Sequence, residues 1–333
     1  MKQIIFLFCL ILACGCSTSN NQEKHESKRN NIINVHNQVK EIDTGDVLIS
    51  ESHRAYPFDE YLAIADYKGY EKMIHIFDSK TYNYLASTGD PGQGPGELSN
   101  FGDILWNRDT RQMYTSDYSS MTTYAFLMDS VLSNPSYKPE VKREIKKIDG
   151  ITPSNFVFLN DTLAFAVQFI SGENFTWKEF PCRFNFSTGQ MKRIDYPYPE
   201  LKKRRILVAA SQEKNRIIVV NKRYDILSVI DFNGNLLYNV FGPDWDIRDN
   251  NRQCFGRPVI FKDKILALYD GRKYSDMKQH SKVLVFSLDG DYIKTLETGY
   301  EIAYLTLDET NRRLILSCND EIQFGYLDLD EVL

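Results

Sequence analysis

The sequence has little histidine, little cysteine and no excess of basic charge. Five His among 333 residues leave few partners for a His-based metal centre or catalytic base. Forty Lys and Arg stand against 45 Asp and Glu, for a net charge of −5. Nucleic-acid binders carry a basic stripe or excess, so that class is disfavoured and no nucleic-acid partner is expected. No apolar run reaches the ~18 residues that a spanning helix needs. There is no Gly-x-Ser-x-Gly elbow and no His-Glu-x-x-His pair, and His53, His75 and His280 do not form a spaced metal pair. What is present in quantity is aromatic: 20 Tyr and 20 Phe, 13% with Trp, which favours strands. With 42% hydrophobic and 26% charged residues, the chain reads as an ordinary folded protein rather than a disordered, collagenous or multi-span one.

The longest apolar run lies at the start. Ile4 to Ala13 follows Met1-Lys2 and leads into Leu12-Ala13-Cys14-Gly15-Cys16-Ser17. About ten apolar residues suit the core of a signal peptide. The pattern resembles a bacterial lipoprotein signal, in which a Cys after a small residue is lipidated and becomes the new N-terminus. Both Cys14 and Cys16 fit. Gly15 and the polar Ser17-Thr-Ser-Asn20 run favour Cys16. Residues 1–15 are therefore expected to be a signal peptide. Residues 16–35, rich in Asn, Lys, Glu and Ser, are expected to be a lipidated N-terminus and flexible tether. Lipid would hold the body on a membrane of the cell envelope, facing the periplasm or the cell surface. Cys182, Cys254 and Cys318 remain in the body. An odd count permits one disulfide at most, and their apolar neighbours favour buried thiols.

Residues 36–333 are built on a repeat. A short apolar run closing on Asp, Asn or Gln recurs six times: Tyr61 to Asp66, Gln112 to Asp117, Leu163 to Gln168, Arg216 to Asn221, Ile265 to Asp270 and Leu314 to Asn319. The closing positions lie 51, 51, 53, 49 and 49 residues apart. An apolar stretch and a polar turn precede each run, as in Ala303 to Leu307 before Asp308-Glu-Thr-Asn-Arg312. Further strands follow, with Asn233-Gly234 and Asp289-Gly290 as hairpin signals. Each period reads as a four-stranded antiparallel meander, and roughly fifty residues per unit points to propeller blades rather than a solenoid. The recurring run is the second strand. It is apolar on both faces, as Ile217/Val219 and Ile218/Val220 show, because a strand between neighbouring blades is covered on both sides. The fold expected is an all-β, six-bladed β-propeller. Its last blade lacks an outer strand at the C-terminal end, and the stretch Ile32 to Ile42 can supply it and lock the ring.

The loop Gly89-Asp-Pro-Gly-Gln-Gly-Pro-Gly-Glu-Leu98 and the strands Tyr61 to Asp66 and Met73 to Asp78 resemble an NHL-type repeat. The chain as a whole is similar to the six-bladed, TolB-like propeller lipoproteins of Bacteroidetes. The resemblance covers residues 36–333, with the glycine loop complete only after the first blade. The loop at Val240-Phe-Gly-Pro-Asp-Trp245 keeps only the Phe-Gly start. The resemblance implies the fold and export but no activity.

Strand ends and loops are where function is expected. The glycine loop lacks the Lys-Ser/Thr pair and following helix of a P-loop and reads as a turn between blades. Asp66, Asp117, Gln168, Asn221, Asp270 and Asn319 should ring one face, as turn caps or as ligands. Tyr67, Tyr118, Arg223, Tyr224, Trp245 and Arg272 should stand beside them, with Lys68, Phe169, Trp177, Arg248, Lys273 and Tyr274 nearby. Aromatics and polar groups at a channel mouth suit a glycan, a peptide or a partner protein. The expectation is a non-catalytic binding or scaffold protein with no required cofactor and no required oligomer. The other reading is a metal-dependent hydrolase or lactonase. Some six-bladed propellers hold a divalent cation in the channel, and Asp66, Asp117, Asn221, Asp270 and Asn319 supply oxygen ligands of that type. Lys202-Lys-Arg-Arg205 is the sharpest charge cluster. It reads as a solvated loop, with an anion-binding patch as the alternative.

Overall fold

The computed structural model describes residues 22–144, 153–160, 162–171, 177–201, 204–247, 251–273, 275–276 and 280–333. Six antiparallel sheets follow one another along the chain. In the first blade the strands run His53–Phe58, Tyr61–Asp66, Ile74–Asp78 and Tyr84–Thr88. The first strands of successive blades, Leu105–Asn107, Pro153–Phe158, Ile206–Ser211, Arg252–Phe261 and Ile302–Asp308, touch one another in turn. Together with His53–Phe58 they line a central channel, whose cavity of about 230 Å³ receives residues from all six. The expected six-bladed propeller is therefore the observed fold.

Each recurring run is the second strand of its blade, and the packing explains why it is apolar on both faces. Ala63 and Ala65 join a cluster with Met113 and Phe126 of the second blade. Leu62 and Ile64 join one with Ile315 and Phe324 of the sixth. In the fourth blade Ile217 and Val219 meet Phe165 and Val167, while Ile218 and Val220 meet Ile265 and Ala267. Each such side chain, buried fully, contributes roughly 1.5–3 kcal/mol, so the inter-blade layers carry most of the stability.

The last blade is closed by the N-terminal segment, as expected. Lys40–Glu41 pairs with Phe324–Asp328, and the Ile42 amide donates to the Phe324 carbonyl at 3.0 Å. The tether expectation needs correction from residue 22 onward. Glu23–His25 adds in parallel to the outer strand Leu236–Phe241 of the fourth blade. Ile32–Asn34 adds in parallel to Tyr292–Glu297 of the fifth. Between them Arg29 donates to Glu26 at 2.8 Å and to both Asp225 oxygens at 2.9 and 3.0 Å. The Arg29 and Asp225 side chains are only 9% and 1% exposed. A polar segment that cannot form a core of its own is held here by an edge that accepts backbone hydrogen bonds and by one buried ion pair. The lipidation candidates Cys14 and Cys16 lie outside the described residues. A helix, Met128–Ser133, interrupts the second blade before its outer strand and buries Met128 and Val131.

Candidate functional site at the channel mouth

Asp66 pairs with His53 at the start of the first strand, so second strands end on the face where inter-blade loops enter. That is the face expected to bind, and most of its closing residues are turned inward. Asp117 accepts from the Ser99 and Asn100 amides at 2.7 and 2.8 Å, and from Ser119 and Ser120 at 2.9 and 2.8 Å. It thus ties the loop entering its blade to the turn leaving its strand. Burial pushes its carboxyl up, but those four N–H groups outweigh burial and hold it below the usual value. Asp66 accepts from the Ser50 hydroxyl and amide and from the Lys68 amide. Asn221 accepts from the Arg223 and Tyr224 amides at 2.8 and 3.1 Å and donates to the Tyr198 hydroxyl at 2.8 Å. Asp270 accepts from Gln253 and from the Ser281 hydroxyl. Gln168 is buried with its Oε1 unpartnered. Asn319 is exposed.

The groups that converge at the mouth are different ones. Asp103, from the loop entering the second blade, has a side chain only 5% exposed. Its Oδ1 accepts from Arg54 at 3.2 Å, Tyr56 at 2.9 Å and Tyr304 at 3.0 Å, and its Oδ2 from Arg257 at 3.2 Å. Burial pushes the Asp103 carboxyl up, but Arg257, Arg54 and the two phenols hold it below the usual range. Arg54 lies over the Tyr304 and Tyr67 rings at 4.6 and 5.4 Å, and its side chain is 41% exposed. Two of the expected face residues join this cluster: the Tyr67 hydroxyl meets that of Tyr56 at 3.0 Å, and the Tyr118 ring covers Gly102. Below the cluster the channel is mostly apolar, with Ile104, Val157, Val208 and Pro258 among its walls.

A second group lies at the fourth blade. Glu179 accepts from the Ile206 amide at 2.7 Å and faces the Arg205 Nε at 3.0 Å. Burial holds its carboxyl above the usual value despite Arg205, Lys222 and Arg223 beside it. The Arg223 guanidinium donates to the Arg252 carbonyl at 3.0 Å. Arg204 is 8% exposed and stacks on Tyr198 at 4.0 Å, Phe180 at 4.8 Å and Tyr196 at 5.0 Å. Arg204 and Arg205 are therefore not the solvated loop that their sequence suggested, because aromatic faces and Glu179 take them in. Lys202 and Lys203 lie outside the described residues.

The remaining expected residues are dispersed. Tyr224 is buried in a cluster beside Trp245 and Tyr198. Trp245 packs on His25 of the N-terminal segment and on Phe241. Arg272 pairs with Glu301 at 2.9 Å. Arg248 and Tyr274, and the side chain of Trp177, lie outside what is described. The glycine loop is closed on itself: the Gly94 amide donates to Glu97 at 2.8 Å and the Gly92 amide to the Leu98 carbonyl at 2.9 Å. This is the expected turn, and it leaves no phosphate cradle. Cys182, Cys254 and Cys318 are free and buried, and burial pushes their thiols up to about 12. Among the described residues, no three or more His, Cys, Asp and Glu side chains converge as a metal site.

A separate concavity, about 890 Å³, lies elsewhere. It runs along the outer strand of the first blade, between residues 46–50 and the helix Met128–Ser133. It shares no lining residue with the channel. It displays Leu48, Tyr70, Tyr84, Leu85 and Leu132, all exposed. His75, whose Nε2 is buried without a partner, also lines it.

Comparison with known proteins bears on the fold alone. No family model and no curated protein matches the sequence. Solved structures do match. A protein of Bacteroides fragilis described as exported is 10% identical, with 89% of this chain and 87% of that one covered at a TM-score of 0.54. A DUF4221-family member from Bacteroides vulgatus is 14% identical, with 87% and 95% covered at 0.56. Regucalcin from Agrobacterium tumefaciens, a calcium-binding protein, is 10% identical, with 89% and 94% covered at 0.52.

Proposed function

We propose that this chain is a non-catalytic binding propeller, lipid-anchored through Cys16 in the cell envelope, whose ligand docks at the channel mouth. The observation that carries this reading is the Asp103 cluster. Two guanidiniums, one buried carboxylate and four tyrosines form a fixed polar and aromatic floor at the mouth, the kind of preformed site that orients a ligand. The hydrolase reading has less support. Its expected cation ligands Asp66, Asp117, Asn221 and Asp270 are engaged by turns and neighbouring side chains, and Asp103 sits between cations that repel a metal. Export is supported by the signal pattern at the start of the chain.

The test is a glycan and peptide array with the body from residue 22, comparing wild type with Tyr118→Ala/Arg223→Ala. A ligand lost at least tenfold in the double variant, with a melting temperature within a few degrees of wild type, supports the mouth. Undiminished binding sinks it. The anchor is checked separately: Cys16→Ser should leave the membrane fraction, and its retention there would refute lipidation at that residue.

A further inference from the structure

We propose that the channel beneath the Asp103 cluster is a second binding site, entered from the face opposite the mouth, for a small monocarboxylate with an apolar body whose carboxylate is received by Arg257. The site is independent of what docks at the mouth.

The mouth is the face where the first strand of the first blade begins, at His53 beside Asp66. The channel cavity of about 230 Å³ lies toward the other end of the first strands, with Phe58, Trp106, Ala210, Ile260 and Leu307 in its lining. It reaches up to Tyr56 and Arg257, two members of the Asp103 cluster. The cluster is therefore a ceiling over this cavity as well as a floor to the mouth. Pockets for drug-sized molecules run to about 300–1,000 Å³, so this cavity suits a smaller ligand.

Among the described residues that line it, Arg257 and Glu309 are the charged ones. The Arg257 side chain is 18% exposed. Among the described residues its hydrogen bonds all leave from Nη1, to Asp103 Oδ2 at 3.2 Å and to the Tyr304 hydroxyl. The edge of the guanidinium that carries Nε and Nη2 side by side is left over, and such an edge matches the two oxygens of a carboxylate. Asp103 cannot complete the neutralisation. It is one carboxylate between two guanidiniums, 3.2 Å from each, and its Oδ1 also accepts from Tyr56 and Tyr304. Among the described residues neither Arg54 nor Arg257 pairs with another carboxylate. A desolvated cation short of its anion is costly. A ligand carboxylate supplies the missing charge where protein walls keep the dielectric low. The walls themselves, Ile104, Val157, Val208 and Pro258 among them, suit an apolar body. Glu309 follows the last residue of its strand, Asp308, and is exposed. A second carboxylate at the outer end of the ligand would meet it, so a monocarboxylate is favoured over a dicarboxylate.

Titration calorimetry on the residue 22–333 body tests this with three probes of equal carbon number: hexanoate, neutral hexanamide and the dianion adipate. Hexanoate should bind about tenfold more tightly than either of the others. Arg257→Met should erase the preference for hexanoate over hexanamide. The variant should still fold, because Asp103 keeps Arg54, Tyr56 and Tyr304 and is then matched by one cation. Ala210→Leu narrows the cavity without touching the cluster. It should weaken hexanoate about tenfold while the melting temperature stays within a few degrees of wild type, and it serves as the test if Arg257→Met does not fold. Tyr118→Ala/Arg223→Ala should bind hexanoate as wild type does. Equal affinity for hexanoate and hexanamide would overturn the role of Arg257, and adipate binding as tightly as hexanoate would overturn the monocarboxylate. Hexanoate binding that survives Ala210→Leu, or is lost in Tyr118→Ala/Arg223→Ala, would put the site outside the channel and overturn the proposal. So would no binding of any probe. The mouth reading falls only by its own test, an array ligand indifferent to Tyr118→Ala/Arg223→Ala.

Discussion

At the residue scale, the closing carboxylates work as clamps. Asp117 is the clearest, with four backbone donors on two oxygens. Hydrogen bonds to a charged acceptor contribute about 1.5–3 kcal/mol each before water reclaims the freed donors. Asp117→Ala should therefore cost about 3 kcal/mol in a urea melt. The sign with pH follows from the depressed carboxyl. Its contribution is complete above the unfolded value of about 3.9 and is lost as pH falls through the lower folded value. The variant should accordingly show a smaller loss of stability than wild type between about pH 4 and pH 2. An unchanged acid profile would show that the clamp does not act through charge. The positions of these six residues could be read from spacing alone. Their roles could not, since an Asp at a strand end looks the same whether it faces a ligand or a backbone amide. Arg54, Asp103, Arg257 and Tyr304 were missed for a related reason. They lie in first strands or in the loops entering them, outside the recurring run. The available signal was a charge inside an otherwise apolar stretch, as in Gly256-Arg257-Pro258-Val259.

At the element scale, the informative piece is the segment from Gln22 to Asn34. Its composition reads as solvated linker, and the blades turn it into two added strands. Composition describes what a segment can bury by itself. It is blind to an edge strand elsewhere that offers unpaired amides. The anchor of this segment is Arg29, and Asp225 depends on it. Burial holds the Asp225 carboxyl above its usual value even with Arg29 in place. Arg29→Ala should then cost about 3–5 kcal/mol at pH 7, the range for a buried charge left alone. A carboxyl with a raised folded value favours folding below its unfolded value, and that advantage is lost as pH rises through the folded one. The defect of Arg29→Ala should therefore shrink from pH 7 to pH 5, read as the difference in urea midpoints. A defect constant across that range would mean that the lost packing on Tyr269 and Phe286 matters more than the charge. The turns between first and second strands carry another repeat that the letters conceal. Asp59, Arg111, Asn215, Lys262 and Arg312 occupy equivalent places with φ between 47° and 56°, although the residue type differs each time.

At the scale of the whole molecule, the ring depends on a two-residue pairing, Lys40 with Tyr326 and Glu41 with Gly325. Two pairs are a weak lock by themselves. Ile42 strengthens it, at 3% exposure in a cluster with Ala55, Leu62, Ile315 and Phe324, so the closing strand is pinned between the last blade and the first. The N-terminal chain therefore does two separable jobs. Residues 22–34 cover the edges of the fourth and fifth blades, and residues 40–42 close the circle. Two truncations separate them. A chain starting at residue 36 loses the Arg29 ion pair and two added strands but keeps the closure. It should melt several degrees lower, in one cooperative transition. A chain starting at residue 44 also exposes the Phe324–Asp328 edge and the core around Ile315, and an open blade edge recruits other strands. It should associate on size-exclusion chromatography or lose its single transition. Ile42→Ala in the full body should cost about 2–5 kcal/mol, the range for deleting a buried isoleucine side chain, without association, because the backbone pairs survive. If the chain from residue 44 stayed monomeric with the melting point of the chain from residue 36, the inter-blade layers would suffice to hold the ring. The N-terminal strand would then complete the last blade without locking the ring.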